Sequence, residues 1–299
     1  MTTIERAAQI LRAGEIVAFP TETVYGLGAD ARNAEAVARI FECKKRPRFD
    51  PLIVHVAHVD AAQRWAAHWP DAARRLAERF WPGPLTVVVP KVDAIPDLVT
   101  AGRATVGLRV PAHPVAQDLL EAFQGPVAAP SANPFSRVSP TTAEHVRTHL
   151  PDVDVVDGGP SQVGLESTIV GFDEDGPLLL RPGGLALESI ESEIGPLRQP
   201  DALDRSASPG RADKHYATRT PLYLEGLDER PSKERLGQLA FRTADPTFVV
   251  SEVLSPQGNM GEAAARLFAA LRRLDAADVD AIWAEAVPEQ GLGLAIMDR

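Results

Sequence analysis

A single cysteine, Cys43, stands among 299 residues, so no internal disulfide can form and a reducing compartment is the natural setting. No run of about 18 apolar residues occurs, which leaves nothing to cross a membrane as a helix. The opening MTTIERAAQILRAGE reads as an amphipathic helix rather than a secretion signal, and the expected location is cytoplasmic. Positive charge is in deficit: 31 Lys and Arg face 41 Asp and Glu, a net charge of −10. That balance argues against broad binding to nucleic acid or anionic lipid, and each local basic patch must be judged by itself.

Familiar catalytic signatures are missing too. There is no GxxxxGK[ST] phosphate loop, no GxSxG elbow and no local Cys–His pattern. GLGADA (26–31) fits GxGxxA but starts six residues beyond the strand-like EIVAF (15–19), which defeats the geometry of a dinucleotide fingerprint. His145 and His149 have the i, i+4 spacing of two zinc ligands, yet HVRTH lacks the accompanying Glu. Cys43 therefore reads as a packing residue and the two histidines as a solvent-facing helix face.

What is present is an ordinary globular composition, 44% hydrophobic and 24% charged, in a chain long enough for two domains. Strand-like runs appear at EIVAF, LIVHV (52–56), LTVVV (85–89), TVGLRV (105–110), PVAAP (126–130), VDVV (153–156) and STIVGF (167–172). Helical patterns lie between them: 33–43 behind an Asn33 cap, 60–69 behind Asp60, 71–80, 115–123 opened by Pro114, and 141–150. Continuous apolar strands imply a sheet covered on both faces, so the fold class is α/β with a large twisted sheet. From Gly195 to Pro221 periodicity is lost in a Pro-, Ser- and Asp-rich linker. A smaller α/β unit follows, with a strong helix near 261–274. The expected division is 1–195, a linker 196–220, and 221–299.

Four polar loops flank the strands: FPTETVYGLG (19–28), APSANPFSRVSPTT (129–142), GLEST (164–168) and LLLRPGG (178–184). CKKRPRFDPL (43–52) adds Lys44, Lys45, Arg46 and Arg48. In open α/β sheets ligands bind outside the carboxyl ends of strands. Short hydroxyls together with Arg46, Arg109 and Arg181 suit a pocket for an anion.

These stretches, with WPGPLTVVV, GLRVPAHPVA, ESTIV and LLRPGGL, occur in the order found in the YrdC-like family. The chain resembles its threonylcarbamoyl-AMP synthases across residues 4–190. SPGRADKHYA (208–217) resembles the linker of the long, two-domain form. The resemblance implies a YrdC-like twisted mixed sheet with flanking helices, plus a small Rossmann-like C-terminal domain. It implies synthesis of L-threonylcarbamoyl-AMP from L-threonine, bicarbonate or CO2, and ATP, with Mg²⁺ accompanying the ATP and pyrophosphate released. Partner proteins would pass the threonylcarbamoyl group to adenosine 37 of tRNA. Matched position by position, the family's KxR…SxN set falls on Lys44, Arg46, Ser131 and Asn133, expected at the nucleotide and the reacting end. Asp50, Thr105, Ser139, Arg181 and the lid residue Tyr216 are also expected around ATP. Thr23, His55, Arg109, Ala129 and Ser167 are expected around L-threonine. Lys45 and Arg48 are expected to face solvent.

The chain departs from the family at Asp50, where Asn is usual, and in the linker, where Arg211 and Thr218 replace Met and Pro. Its second unit is also shorter than usual. Two rivals follow from the same resemblance: a module that binds double-stranded RNA, and an enzyme that passes a carbamoyl-adenylate to another acceptor. The acidic total charge disfavours the first, although a local patch could touch tRNA weakly. The second needs further domains that this sequence lacks.

Overall fold

β-Branched runs punctuated by capped helices build two sheets in the computed structural model, which describes residues 2–199, 216–232 and 235–299. Most of SPGRADKHYA thus lies outside the described residues. In the first unit the chain runs through α1 (Ile4–Arg12), β1 (Val17–Phe19), β2 (Gly26–Asp30), α2 (Ala34–Lys44), β3 (Ile53–His55) and α3 (Val59–Gln63). It continues through α4 (Asp71–Phe80), β4 (Leu85–Pro90), α5 (Asp97–Thr100), β5 (Thr105–Arg109), α6 (Pro114–Phe123) and β6 (Val127–Ala128). α7 (Ala143–His149), β7 (Thr168–Asp173), β8 (Gly176–Arg181) and α8 (Leu187–Ile194) complete it. The second unit holds β9 (Leu222–Leu224), β10 (Leu236–Ala240), β11 (Val250–Val253), α9 (Met260–Ala276), β12 (Ala281–Ala284) and α10 (Gly293–Met297).

The first sheet has eight strands in the order β1-β2-β6-β3-β5-β4-β7-β8. It is mixed: β3–β5 and β4–β7 pair in parallel, and the other neighbours antiparallel. Alternation along each strand separates the faces. Ala18, Val54, Leu108 and Val87 point into the main core, which also buries Val37 and Ile40 of α2 and Leu76 of α4. Val17, Phe19 and Val127 point the other way, onto α1 and α6. The second sheet, β11-β10-β12-β9, is entirely parallel. No helix among the described residues is long and apolar enough to cross a membrane.

Three local expectations shift. The helix foreseen at 60–69 is only Val59–Gln63, capped by His58 instead of Asp60. VDVV makes a single bridge, Ala18 to Val155, and no strand. GLGAD, read as part of a loop, is strand β2. Its glycines are demanded by crowding, since a Cβ on Gly28 would stand 2.8 Å from Val127 and 2.9 Å from the Phe19 ring.

The two units share an apolar core. Val24, Val138, Leu165 and Tyr216 pack with Leu267, Phe268 and Leu271 of α9, all buried. The backbones come close at Gly164, whose φ is +73° and where a Cβ would lie 2.5 Å from Ala265 Cα. Gly164→Ala should therefore destabilise the protein by about 2 kcal/mol or more, through strain and forced separation from α9. Chemical denaturation measures this, and a wild-type midpoint would refute the close-approach argument.

Candidate active site

The KxR spacing has a local cause. Asn33 caps α2 by accepting from the Glu35 and Ala36 amides, and the helix ends where Lys45 turns left-handed at φ 51°. The Lys45 amide then bonds the Glu42 carbonyl and the Arg46 amide bonds the Phe41 carbonyl at 2.9 Å. This reversal leaves Lys45 exposed and sends the side chains on either side of it inward: Lys44 is 1% exposed and Arg46 7%. Arg48 is exposed as well.

Arg46 reaches a cavity that it shares with Arg109 and Arg181. Thr23, His55, Ala129, Ser131, Ser167 and Tyr216 also line it. Thr21 and Glu166, unassigned from the sequence, join them. Ile53 and His55 both line it, two residues apart on β3, so the cavity lies over a sheet face as well as beside strand ends. α1 and α6 cover the same face at its other end. Five sequence-derived residues stand outside the lining. Lys44 Nζ donates to the carbonyls of Ser131 (2.6 Å) and Asn133, and so holds that turn. Asn133 Nδ2 donates to the carbonyls of Pro134 and Arg137. Asp50 forms a 2.9 Å ion pair with Arg46. Ser139 Oγ donates to Glu166 Oε1 at 2.5 Å. Thr105 lines an adjoining small cavity with Pro51 and Ile53.

Each buried arginine has an anionic or carbonyl partner. Arg46 also donates to the carbonyls of Asp50 and Pro51 and lies 5.9 Å from the Phe135 ring centroid. Arg109 approaches Glu22 to 2.8 Å, although both Glu22 oxygens lack an aligned hydrogen bond. Arg181 Nη2 donates to the Ser167 carbonyl at 2.9 Å. His55 Nδ1 and Asn133 Oδ1 are likewise buried without a hydrogen-bond partner among the described residues. Orphaned polar atoms gathered around one cavity are what a polar ligand would satisfy.

The second unit supplies a further cation that sequence periodicity gave no means of finding. Arg299 is fully buried and donates through Nε to Glu166 Oε2 at 2.7 Å. Its guanidinium lies 4.8 Å from the ring centroid of Tyr216, which also stacks on the ring of Phe268. Burial alone would raise the Glu166 pKa, but Arg299 and Arg181 hold it below the usual carboxylate range. Burial pushes the Tyr216 phenol up.

Burial, then the Arg109 charge, lowers His55 from 6.5 to about 3. The ring is therefore neutral at physiological pH, while an unfolded chain protonates it below about 6.5. Stability due to this group is complete above that pH and falls as pH drops toward about 3, by up to about 1.4 kcal/mol per pH unit. His55→Gln should flatten this acid limb in urea denaturation at stepped pH. An unchanged slope would place the titration elsewhere.

Residues 9–183 match the family model described as "Telomere recombination", which spans the Sua5, YciO and YrdC proteins. Residues 185–299 match the model for the C-terminal domain of threonylcarbamoyl-AMP synthase. A threonylcarbamoyl-AMP synthase of Pyrococcus abyssi is 42% identical, covering 99% of this chain and 92% of its own. One of Bacillus subtilis is 43% identical over 99% and 91%. The crystal structure of P. abyssi Sua5 complexed with L-threonine superposes with a TM-score of 0.90 at 40% identity, covering 99% of this chain and 92% of that one. The chain thus belongs to the YrdC-like family, among its two-domain threonylcarbamoyl-AMP synthases.

Proposed function

We propose that the protein makes L-threonylcarbamoyl-AMP from L-threonine, bicarbonate or CO2, and ATP, as the first step of threonylcarbamoyladenosine formation at tRNA position 37. One observation carries this reading: three buried guanidinium groups and at least four short hydroxyls converge on a single cavity. Such a site suits two anionic reactants that must meet and does without a covalent nucleophile.

Arg109, at the end of β5 beside His55 on β3, is the group for the threonine carboxylate; its fork matches that anion bidentately. Thr23, Ser167 and the Ala129 backbone would surround the rest of the amino acid. A neutral His55 adds no charge there; its lowered basicity makes it no proton acceptor, so the proton lost as the threonine ammonium becomes the amine that captures CO2 passes to bicarbonate or solvent. The resulting carbamate oxygen bonds to the α-phosphorus of ATP as the bond to the bridging oxygen breaks, and pyrophosphate leaves. Arg46 and Arg181 would balance the charge gathering on the phosphates, with Ser131 donating at the reacting end. Lys44, Asn133, Asp50 and Ser139 act one layer out and hold these donors or their neighbours in place, while Thr105 lines the adjoining small cavity.

Mg²⁺ would arrive with ATP and supply charge neutralisation for the departing pyrophosphate. The donor set fits a metal held chiefly by phosphate oxygens. The carboxylate in the cavity, Glu166, and the two beside it, Glu22 and Asp50, each already face an arginine, and no cluster of three ligating side chains occurs among the described residues.

The cavity encloses only about 50 Å³, against several hundred Å³ in usual ligand sites. ATP therefore enters only if the Tyr216 segment moves aside, and its return would keep water from a labile acyl-adenylate. Incubation with ATP, Mg²⁺, bicarbonate and threonine should release pyrophosphate only when both threonine and bicarbonate are present. Release indifferent to threonine would refute this reading.

A further inference from the structure

A second cavity, of about 440 Å³, lies on the other side of the 134–139 loop, between α7, the start of the second unit and α9. Its lining is cationic: Arg137, Arg219 and Arg272, with His145 and His149. Asp275 is the one carboxylate among the lining residues, and it is already engaged by the backbone amides of Arg219 and Thr220 and by the Arg219 side chain. Arg272 is largely buried and its hydrogen bonds go to neutral acceptors, while the Asp275 charge, already taken up by Arg219, reaches it without a direct ion pair. It donates to the carbonyls of Val138 and Ser139, and its Nη1 lies 3.2 Å from His149 Nδ1. Arg137 is exposed at the rim, and its side chain has no partner among the described residues.

A largely buried guanidinium with no direct carboxylate partner is costly unless a further anion joins it. The neighbouring groups register the same surplus of positive charge. Burial and then Arg272 hold both imidazoles below their ordinary range, His145 at about 4. In a chain with net charge −10, three arginines and two histidines around a single carboxylate stand out against the overall field.

We infer that this groove is a second anion site, shaped for a small phosphate-bearing molecule of the size of pyrophosphate. Rim arginines would give bidentate contacts and Arg272 the floor. The recessed floor and the acidic remainder of the surface favour a compact anion over an extended nucleic acid. Only the choice of pyrophosphate as the physiological occupant rests on the proposed reaction. The site has a route to the active cavity. Arg272 holds the Ser139 carbonyl while Ser139 Oγ holds Glu166, so an anion that draws Arg272 off the loop would loosen the Glu166 wall of the active cavity.

The test uses the full chain and inorganic pyrophosphate or orthophosphate as probes, with the imidazole resonances of His145 and His149 as reporters. Both anions should shift these resonances, pyrophosphate at the lower concentration. The titrations of both rings should move upward when it is bound. Arg137→Ala/Arg219→Ala removes exposed side chains and keeps the Arg137 carbonyl that Asn133 uses. It should weaken the response about tenfold or more, with wild-type turnover in the absence of added pyrophosphate. Arg46→Ala should leave the response intact. The inference fails if the double variant responds like wild type, if Arg46→Ala abolishes the response, or if a short single-stranded RNA occupies the groove more tightly than pyrophosphate. Absence of pyrophosphate release from wild type would instead count against the proposed reaction while leaving groove binding measurable.

Discussion

Arg46→Ala is expected to reduce threonine- and bicarbonate-dependent pyrophosphate release by about 10³-fold. The guanidinium is the cation that the α2 terminus delivers to the cavity, held by Asp50 and two carbonyls so that it needs no reorganisation at the moment of reaction. Its removal also takes from buried Asp50 its ion pair with Arg46, a defect of up to about 3–5 kcal/mol. Lost turnover could then reflect lost folding, so the double variant Arg46→Ala/Asp50→Asn separates the two. It should recover most of the thermal stability and none of the activity. Recovery of activity alongside stability would reduce Arg46 to a structural role. Lys45→Ala, one position away but exposed, should stay within about twofold of wild type. Lys44→Met should also be inactive, because its ammonium holds the Ser131–Asn133 turn.

Arg299→Gln tests whether the second unit completes the site. This side chain joins Glu166 to the Tyr216 ring and, through Glu166, steadies Ser139. Under the proposed reaction all three contacts belong to the ATP side of the cavity, and Thr23, His55 and Arg109 to the amino-acid side. The expected result is a KM for ATP raised about tenfold or more, with binding of L-threonine alone unchanged. Arg299→Lys keeps the charge but loses the planar fork, and should fall between the two. Equal damage to threonine and ATP binding would indicate general unfolding of the wall and sink the positioning role.

Local features were legible because their causes are local. The Asn33 cap, the Pro114 helix start and the β-branched run Leu85–Val89 each declare themselves within a few residues. Strand β2 was not, because its glycines answer to Phe19 and Val127 across neighbouring strands and not to any strand propensity of their own. In the site, the arginines and hydroxyls stood out by chemistry, and family motifs drew attention to them. Their counter-charges did not. Glu22 and Glu166 sit inside quoted stretches, PTET and GLEST, but nothing local distinguishes them from turn residues. Arg299 meets Glu166 across 133 positions of sequence, a separation at which no periodicity survives. Lys44 shows the converse limit: the family motif identified it, while its task of gripping two carbonyls is decided by a turn 87 residues away.

The shared core of Val24, Val138, Leu165 and Tyr216 with α9 bears on how the protein can be handled in pieces. A half-molecule ending near residue 185 would present a greasy scar beside its catalytic loops and should precipitate or self-associate. Two halves made together should find each other again and remain soluble.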